Sequence, residues 1–413
     1  MTIKDTKILV IAANYSYFIK ELVEAESKYV KKINVLVHHN HLAQLSKYLP
    51  FEGYIKVVRQ FYLKENIIDV EEKPDNVKVD LLSFLYLIPD GRNKNFGNKI
   101  AEKFEGYIKK YRIEFDIIHA HFIYPQGYVA VKLGKKFNKP VIITAHGHDI
   151  YDMPFRDNKW YKKIKWILDE SNHVITVSEK NRRILVEKLK IRDKKITVIP
   201  NGFNSQKFNN ISQKESREKI KFFENKKIIL CIANQNPIKG QEYLIKAMKM
   251  VVEKRQDVIC FIIGGGSLTK EFDRLINKLN LKNYIKILGL KQHKEIPLWM
   301  NSADLFVLPS LNEGNPTVMF EALGTGLPFI GSNVGGIPEI ITSEDYGLLV
   351  EPANSKNLAE KIIIALNKKW EKDLIRKYAQ QFSWDDIARQ TLDIYELVKN
   401  NYINNLKNSK EST

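Results

Sequence analysis

The chain has 413 residues, 44% of them hydrophobic and 28% charged, a balance that fits a globular protein of two or three domains and excludes a largely disordered one. No apolar run reaches the roughly 18 residues that a membrane-crossing helix needs. The net charge is +18, and residues 1–200 carry 36 Lys+Arg against 24 Asp+Glu. That surplus fits an anionic partner (nucleic acid, an anionic membrane or a phosphorylated substrate) and equally a general richness in Lys and Asn.

In chain order, Met1 to Lys7 lead straight into a strand-like run without the shape of a signal peptide, so a cytoplasmic protein is expected. Apolar runs then alternate with helical patterns at Lys7–Ala12, Ile33–His38, Ile55–Val58, Ile117–Ala120, Val141–Thr144, Val174–Val177 and Ile196–Ile199, the pattern of a doubly wound parallel sheet. Between Phe51 and Asp90 the pattern is irregular and reads as loops or short pieces. The first strand is followed by Ala13-Asn14-Tyr15-Ser16-Tyr17-Phe18, which has no glycine to let a ligand approach the backbone.

Histidines crowd two strand ends, at His119, His121, His146 and His148. They lack the i, i+4 helical spacing or the cysteine partners of a zinc site, so structural hydrogen bonds are the plainer reading for His121 and His148. Cys231 and Cys260 fall in apolar runs and read as buried core residues of a reducing compartment. The segment Trp160-Tyr161-Lys162-Lys163-Ile164-Lys165-Trp166-Ile167 interleaves aromatics with lysines at helical spacing. It fits an interfacial helix on an anionic membrane, or an ordinary amphipathic helix with Trp160, Ile164 and Ile167 in the core.

The first domain is expected to end near residue 203, with a polar linker and short helix over 204–226. Alternation restarts at Ile228–Ala233, Val258–Ile263, Ile285–Leu288, Leu305–Leu308, Pro328–Gly331 and Gly347–Val350, giving a second domain over 227–382. Lys239 and Gly240 follow its first strand, where a lysine and a helix start suit a diphosphate. Gly264-Gly265-Gly266 permits close backbone approach but does not complete a dinucleotide glycine fingerprint. The last helix, around Trp384 to Val398, is expected to cross back to the first domain within residues 383–413, followed by a frayed polar tail.

The most informative stretch runs from Leu311 to Gly324. Pro316 has the fixed φ suited to a helix start, and Gly324 suits its end. Glu313 sits before this helix and Glu321 on it, and Pro316 to Glu321 covers about 7.5 Å at the helical rise. Two carboxylates could thus address the two ends of an elongated ligand whose charged middle faces the helix N-terminus. A Glu placed for the helix dipole plus a solvated Glu is the structural alternative.

Glu313-Gly314-Asn315-Pro316, four residues and then Glu321-Ala322 resemble the Glu-x7-Glu signature of the retaining family 4 glycosyltransferases. His146-Gly147, Val174–Glu179, Val198–Phe203 and Lys239-Gly240 match further landmarks in the right order. The resemblance implies the GT-B fold, two Rossmann-like domains facing a cleft, and metal-independent transfer from a nucleotide-diphosphate sugar, with a uridine diphosphate donor favoured, to a glycan or lipid-linked acceptor. It assigns His146 to the donor sugar near its reacting carbon, Glu313 to sugar hydroxyls, Glu321 to the ribose and Lys239 to the diphosphate. The phosphate and base side would be completed by Asn234, Gly265, Leu290 and the helix-start residues Gly314, Asn315, Pro316 and Thr317. Two departures stand out: relatives have glycines after the first strand, and commonly an Arg where this chain has Asn234. No Asp-x-Asp metal motif occurs. A sugar-nucleotide epimerase of the same fold and a non-catalytic anion or nucleic-acid binder are the rivals, with nucleic acid disfavoured by the carboxylates of the loop. If the interfacial helix is real, the protein would sit peripherally on the inner face of the membrane.

Overall fold

The computed structural model describes residues 3–41, 63–84 and 95–411. The chain forms two compact units, residues 1–200 with 384–413 and residues 201–383. The strand expected at Ile55–Val58 lies outside the described residues.

Among the described residues, seven parallel strands form the sheet of the first unit: β1 (Lys7–Ala12), β2 (Lys32–Asn40), β3 (Val77–Phe84), β4 (Ile117–His121), β5 (Val141–Ala145), β6 (His173–Thr176) and β7 (Ile196–Val198). Their spatial order is β3-β2-β1-β4-β5-β6-β7. The strand period explains the apolar runs. Leu9 and Ile11 enter one core, while Ile8, Val10 and Ala12 enter another on the opposite face. A strand buried on both faces has no polar alternation to show. β3 is the exception that the irregular stretch concealed: it is an edge strand whose residues are mostly half-buried or exposed, so Lys78, Asp80 and Ser83 interrupt its apolar signal.

The second unit has six parallel strands: β8 (Lys227–Ile232), β9 (Val258–Ile263), β10 (Ile285–Gly289), β11 (Leu305–Leu308), β12 (Phe329–Ser332) and β13 (Gly347–Val350). Their order is β10-β9-β8-β11-β12-β13. Ile228 and Leu230 face one core, and Ile229 and Cys231 the other. Both cysteines are free and buried, and desolvation pushes the Cys231 thiol up to about 12.

Residues 204–226, expected as a linker, belong to this second unit. Their helix Gln213–Lys219 is pinned to it: the Gln213 amide donates to the Ala303 carbonyl at 3.0 Å, and Arg217 pairs with Asp304 at 2.8 Å. Polar composition misled the reading because these side chains bond inward. The unit boundary accordingly falls after Pro200, three residues before the expected one.

The final helix, Trp384–Glu411, is longer than its apolar spacing suggested and packs on the first unit's sheet beside the helix Tyr17–Ser27. Buried polar bonds fix its register. Trp384 Nε1 donates to Glu21 at 2.8 Å, the Tyr395 hydroxyl donates to Glu26 at 3.1 Å, and Lys399 Nζ donates to the Thr6 hydroxyl at 2.8 Å.

Candidate functional site

Parallel sheets bind ligands beyond the carboxyl ends of their strands, where the strand order reverses. In the second unit that point lies between β8 and β11, and the loops following these strands carry Lys239 and Glu313. Lys239 Nζ lies 2.6 Å from Glu313 Oε1, and the Ser310 hydroxyl donates to the same oxygen at 2.6 Å. Glu313 is buried and Lys239 half-buried. Two residues 74 apart in sequence thus form one ion pair, and Ser310 is a partner that the motif did not reveal.

Backbone packing makes this edge rigid. Gly240 has φ +63°, and a Cβ there would lie 2.1 Å from the Pro309 carbonyl oxygen. Leu311 N–H donates to the Ile238 carbonyl at 2.7 Å, joining the loops after β8 and β11. A Cβ on Gly335, at φ +61°, would lie 1.9 Å from the Glu313 carbonyl oxygen. Both positions need glycine for close approach and for a left-handed backbone.

The helix Thr317–Gly324 follows Pro316, which sits one position ahead of the expected first turn, as the N-cap residue. Among the described residues no side-chain hydrogen bond caps the helix start; Met319 N–H is taken by the Pro316 carbonyl at 3.0 Å, and a helix first turn in general favours an anion. The helix ends at Gly324 as expected, and the left-handed residue beyond it is Gly326, at φ +78°. Gly324 is needed for packing, because a Cβ there would lie 2.2 Å from the Phe203 ring. Thr317 is half-buried, whereas Gly314, Asn315 and Pro316 are buried. Asn315 is partly committed to the fold, since its side-chain oxygen accepts the Asn201 N–H at 2.9 Å. Its Nδ2 is buried without a hydrogen-bond partner among the described residues.

Glu321 is buried and lies 3.0 Å from His293 Nε2. His293 in turn packs on Phe208, with ring centroids 5.4 Å apart. His293 lies in the loop after β10, and the sequence gave no sign of this pairing. Leu290, in the same loop, is 59% exposed. Asn234 is exposed, and its neighbour Gln235 is fully buried, donating to the Gly264 carbonyl and accepting from the Thr269 hydroxyl. The three glycines answer to this neighbour: Cβ atoms on Gly264 and Gly266 would meet the Ala233 and Gln235 carbonyls. Gly265 stays half-buried, its carbonyl accepting the Gln235 N–H at 2.9 Å.

In the first unit the strand order reverses between β1 and β4, and His146 follows β5, the next strand over. Its Nε2 lies 3.2 Å from His121 Nδ1, a contact that fits the structural hydrogen bond read for His121. Phe122 and Phe18 enclose the His146 ring, with centroids at 4.6 and 5.1 Å. Burial, with His121 adjacent, holds His146 well below its usual range, and burial pushes His121 down to about 4. Both rings are neutral at pH 7. Asp149, another residue that the sequence did not flag, accepts backbone N–H groups of Ile123, His146 and Gly147 at 2.9, 3.1 and 2.9 Å. It ties the β4 and β5 loops together. Phe122 adopts φ +76° and ψ 143°, a region costing about 1–3 kcal/mol for a side-chain-bearing residue.

His119 is fully buried, its Nδ1 2.6 Å from the Tyr395 hydroxyl and its Nε2 2.7 Å from the Thr144 hydroxyl. His148 is exposed beside Asp152 at 3.2 Å. In the helix Asn158–Glu170, Trp160, Ile164 and Ile167 are buried. Trp166 is half-buried with Lys135 5.3 Å from its ring. The Trp160 ring is therefore not available to a membrane, and the amphipathic reading describes this helix.

Two Rossmann-like parallel sheets are the architecture of the GT-B glycosyltransferases. Glycosyl transferases group 1 matches residues 212–382, and Glycosyltransferase Family 4 matches residues 67–207. An uncharacterized glycosyltransferase of Methanocaldococcus jannaschii is 30% identical over 285 residues, covering 68% of this chain and 75% of that one. The UDP-Gal:alpha-D-GlcNAc-diphosphoundecaprenol alpha-1,3-galactosyltransferase of Escherichia coli is 29% identical over 248 residues, 58% of this chain and 63% of that one. The crystal structure of Anabaena HepE in complex with UDP superposes with a TM-score of 0.71 at 19% identity, covering 94% of this chain and 99% of that one. The chain belongs to the family 4 glycosyltransferases.

Proposed function

We propose that the protein is a retaining, metal-independent hexosyltransferase that moves a sugar from a UDP-sugar to a glycan or lipid-linked acceptor in cell-surface polysaccharide or glycoconjugate synthesis. The observation that carries this reading is the Lys239–Glu313 pair beside an uncapped helix start at the sheet's reversal point. Family membership favours transfer over the epimerase and the nucleic-acid alternatives. The donor and acceptor named for the E. coli relative, and the UDP in the HepE complex, support the substrate classes.

In this mechanism the diphosphate sits at the start of the helix Thr317–Gly324. Lys239 turns from Glu313 to the phosphate, and Glu313, released, accepts hydrogen bonds from sugar hydroxyls. Glu321 binds the ribose hydroxyls. The bond from the anomeric carbon to the β-phosphate oxygen breaks while the acceptor oxygen bonds to that carbon on the same face. The acceptor's proton passes to the departing phosphate oxygen. Lys239 and the helix N–H groups offset the charge growing there, the kind of preorganised stabilisation that contributes most to such reactions. Asn234 supplies an exposed amide where relatives have a cation, so Lys239 bears more of the phosphate contact. Neutral His146 serves the donor sugar as a hydrogen-bonding group rather than as a charge. If the acceptor is lipid-linked, the lysines of the basic first unit would meet an anionic membrane surface from the cytoplasmic side.

The test is a thermal-shift screen of UDP, GDP, ADP and CDP, followed by product analysis with the matching sugar donor. UDP alone should raise the melting temperature, because a ligand of the native state stabilises it, and the product's anomeric proton should show the donor's configuration. Inversion, or stabilisation by none of the four nucleotides, would overturn the proposal.

A further inference from the structure

Glu321 is a charge in an apolar place. Its neighbours on the helix Thr317–Gly324, Met319, Phe320, Ala322 and Leu323, are fully buried, and its own side chain is 9% exposed. Apolar residues would pack such a position at least as well as a charged pair does, so stability alone does not account for a carboxylate here. The residue opposite comes from another strand end. His293 Nε2 lies 3.0 Å from Glu321 Oε1, 28 residues away in sequence.

Three restraints hold that imidazole in place. The loop after β10 is tied to the loop after β9, because Gly264 N–H donates to the Gly289 carbonyl at 2.9 Å. The turn His293–Glu295 is closed by a reciprocal pair: Gln292 N–H donates to Glu295 Oε2 at 2.9 Å, and the Gln292 side chain accepts the Glu295 N–H. The ring packs on Phe208, which is buried and fixed by its own N–H to the Asn204 carbonyl at 2.9 Å. The imidazole thus meets Glu321 from a preorganised position, the support that a binding group needs.

A carboxylate only accepts hydrogen bonds, so Nε2 is the donor in this pair. One N–H bond to Oε1 stops the carboxylate from turning about its last single bond. Each carboxylate oxygen can accept about two hydrogen bonds, so hydroxyl groups can still be taken in the same orientation. We propose that His293 is a positioning residue of the nucleotide site: it fixes the Glu321 carboxylate in the orientation that takes both hydroxyls of a ribose, and so sets a preference for a ribonucleotide. This rests on the donor reading above, in which Glu321 meets the ribose, and the action of His293 runs through Glu321.

The experiment titrates the full chain by calorimetry with UDP and with 2′,3′-dideoxy-UDP. The wild type should bind UDP at least tenfold more tightly. His293→Phe keeps a ring against Phe208 and loses the donor, His293→Asn keeps a polar group too short to reach Glu321, and His293→Gln carries an amide nitrogen to the place of Nε2. UDP affinity should fall at least fivefold in His293→Phe and His293→Asn and hold within twofold in His293→Gln, while dideoxy-UDP affinity holds in all three. A histidine that only supports the fold would lower both affinities together, and that result would overturn the proposal. So would a loss in His293→Gln as large as in His293→Asn, or wild-type UDP affinity in His293→Asn, which decides the matter even where His293→Phe does not fold. Wild-type protein that binds the two nucleotides equally, or binds neither, would instead overturn the donor reading of Glu321 on which the proposal stands.

Discussion

Lys239 and Glu313 pair across 2.6 Å, and under the proposed function each exchanges this partner for the ligand. Replacing Lys239 by Ala should lower kcat by about 10²–10³, the loss seen when one preorganised group facing developing charge is removed. Because Lys239 is the partner of the buried Glu313, the melting temperature without ligand should fall as well, and an unchanged kcat in the folded variant would refute a catalytic role. Glu321→Gln is expected to weaken UDP binding by roughly 1.5–3 kcal/mol, the range for hydrogen bonds to a charged group, measured by titration calorimetry. Unchanged affinity in the folded variant would remove Glu321 from the ribose. His121 bonds to His146, and its replacement by Phe should reduce kcat by roughly tenfold, in line with one lost hydrogen bond of about 1–1.5 kcal/mol. The Kd for UDP should hold, since His121 belongs to the other unit; a matching loss of UDP affinity would contradict this division.

At the scale of elements, the helix Trp384–Glu411 is locked to the first unit by a buried chain running from Glu26 through Tyr395 and His119 to Thr144. Burial raises the Glu26 carboxyl to about 8, so the folded state keeps a proton that the unfolded chain releases above its ordinary range near 4.5. Stability must therefore fall as pH rises through that interval, by up to about 1.4 kcal/mol per unit. The buried histidines contribute with the opposite sign up to about pH 7.5, because imidazoles of the unfolded chain are still half protonated at about pH 6.5, and comparing a Glu26 variant with the wild type cancels that shared contribution. Glu26→Gln keeps a hydrogen-bond acceptor for Tyr395 and removes the titration. Its melting temperature should decline less from pH 6.5 to 8 than that of the wild type, and parallel curves would show that Glu26 is not the group responsible. The same docking explains why this helix joins the first unit although it follows the second in sequence.

For the whole molecule, the two sheets share a plan but divide the chemistry: carboxylates, lysine and an uncapped helix start in the second, neutral histidines and aromatics in the first. UDP should therefore slow amide hydrogen exchange at residues 289–293 and at the start of the helix Thr317–Gly324, within the second unit. Protection confined to the first unit would place the donor elsewhere and reverse the assignment.

What the sequence alone determined was the layered parallel architecture, because strands buried on both faces must be apolar runs, and the signature from Glu313 to Glu321, because a strand, loop and helix start are contiguous in the chain. Twelve of the strands answer to such runs. β3 did not, since an edge strand carries polar residues. Polar composition likewise made residues 204–226 look like a linker, although their side chains bond inward. Only tertiary structure brought Ser310 and Lys239 onto one Glu313 oxygen, His293 onto Glu321, and His121 onto His146. It also showed that Gly264, Gly266 and Gly324 are held close to neighbouring backbone and to the Phe203 ring. Such pairings join residues distant along the chain, and their geometry is set by sheet order and loop packing, quantities that no local pattern encodes.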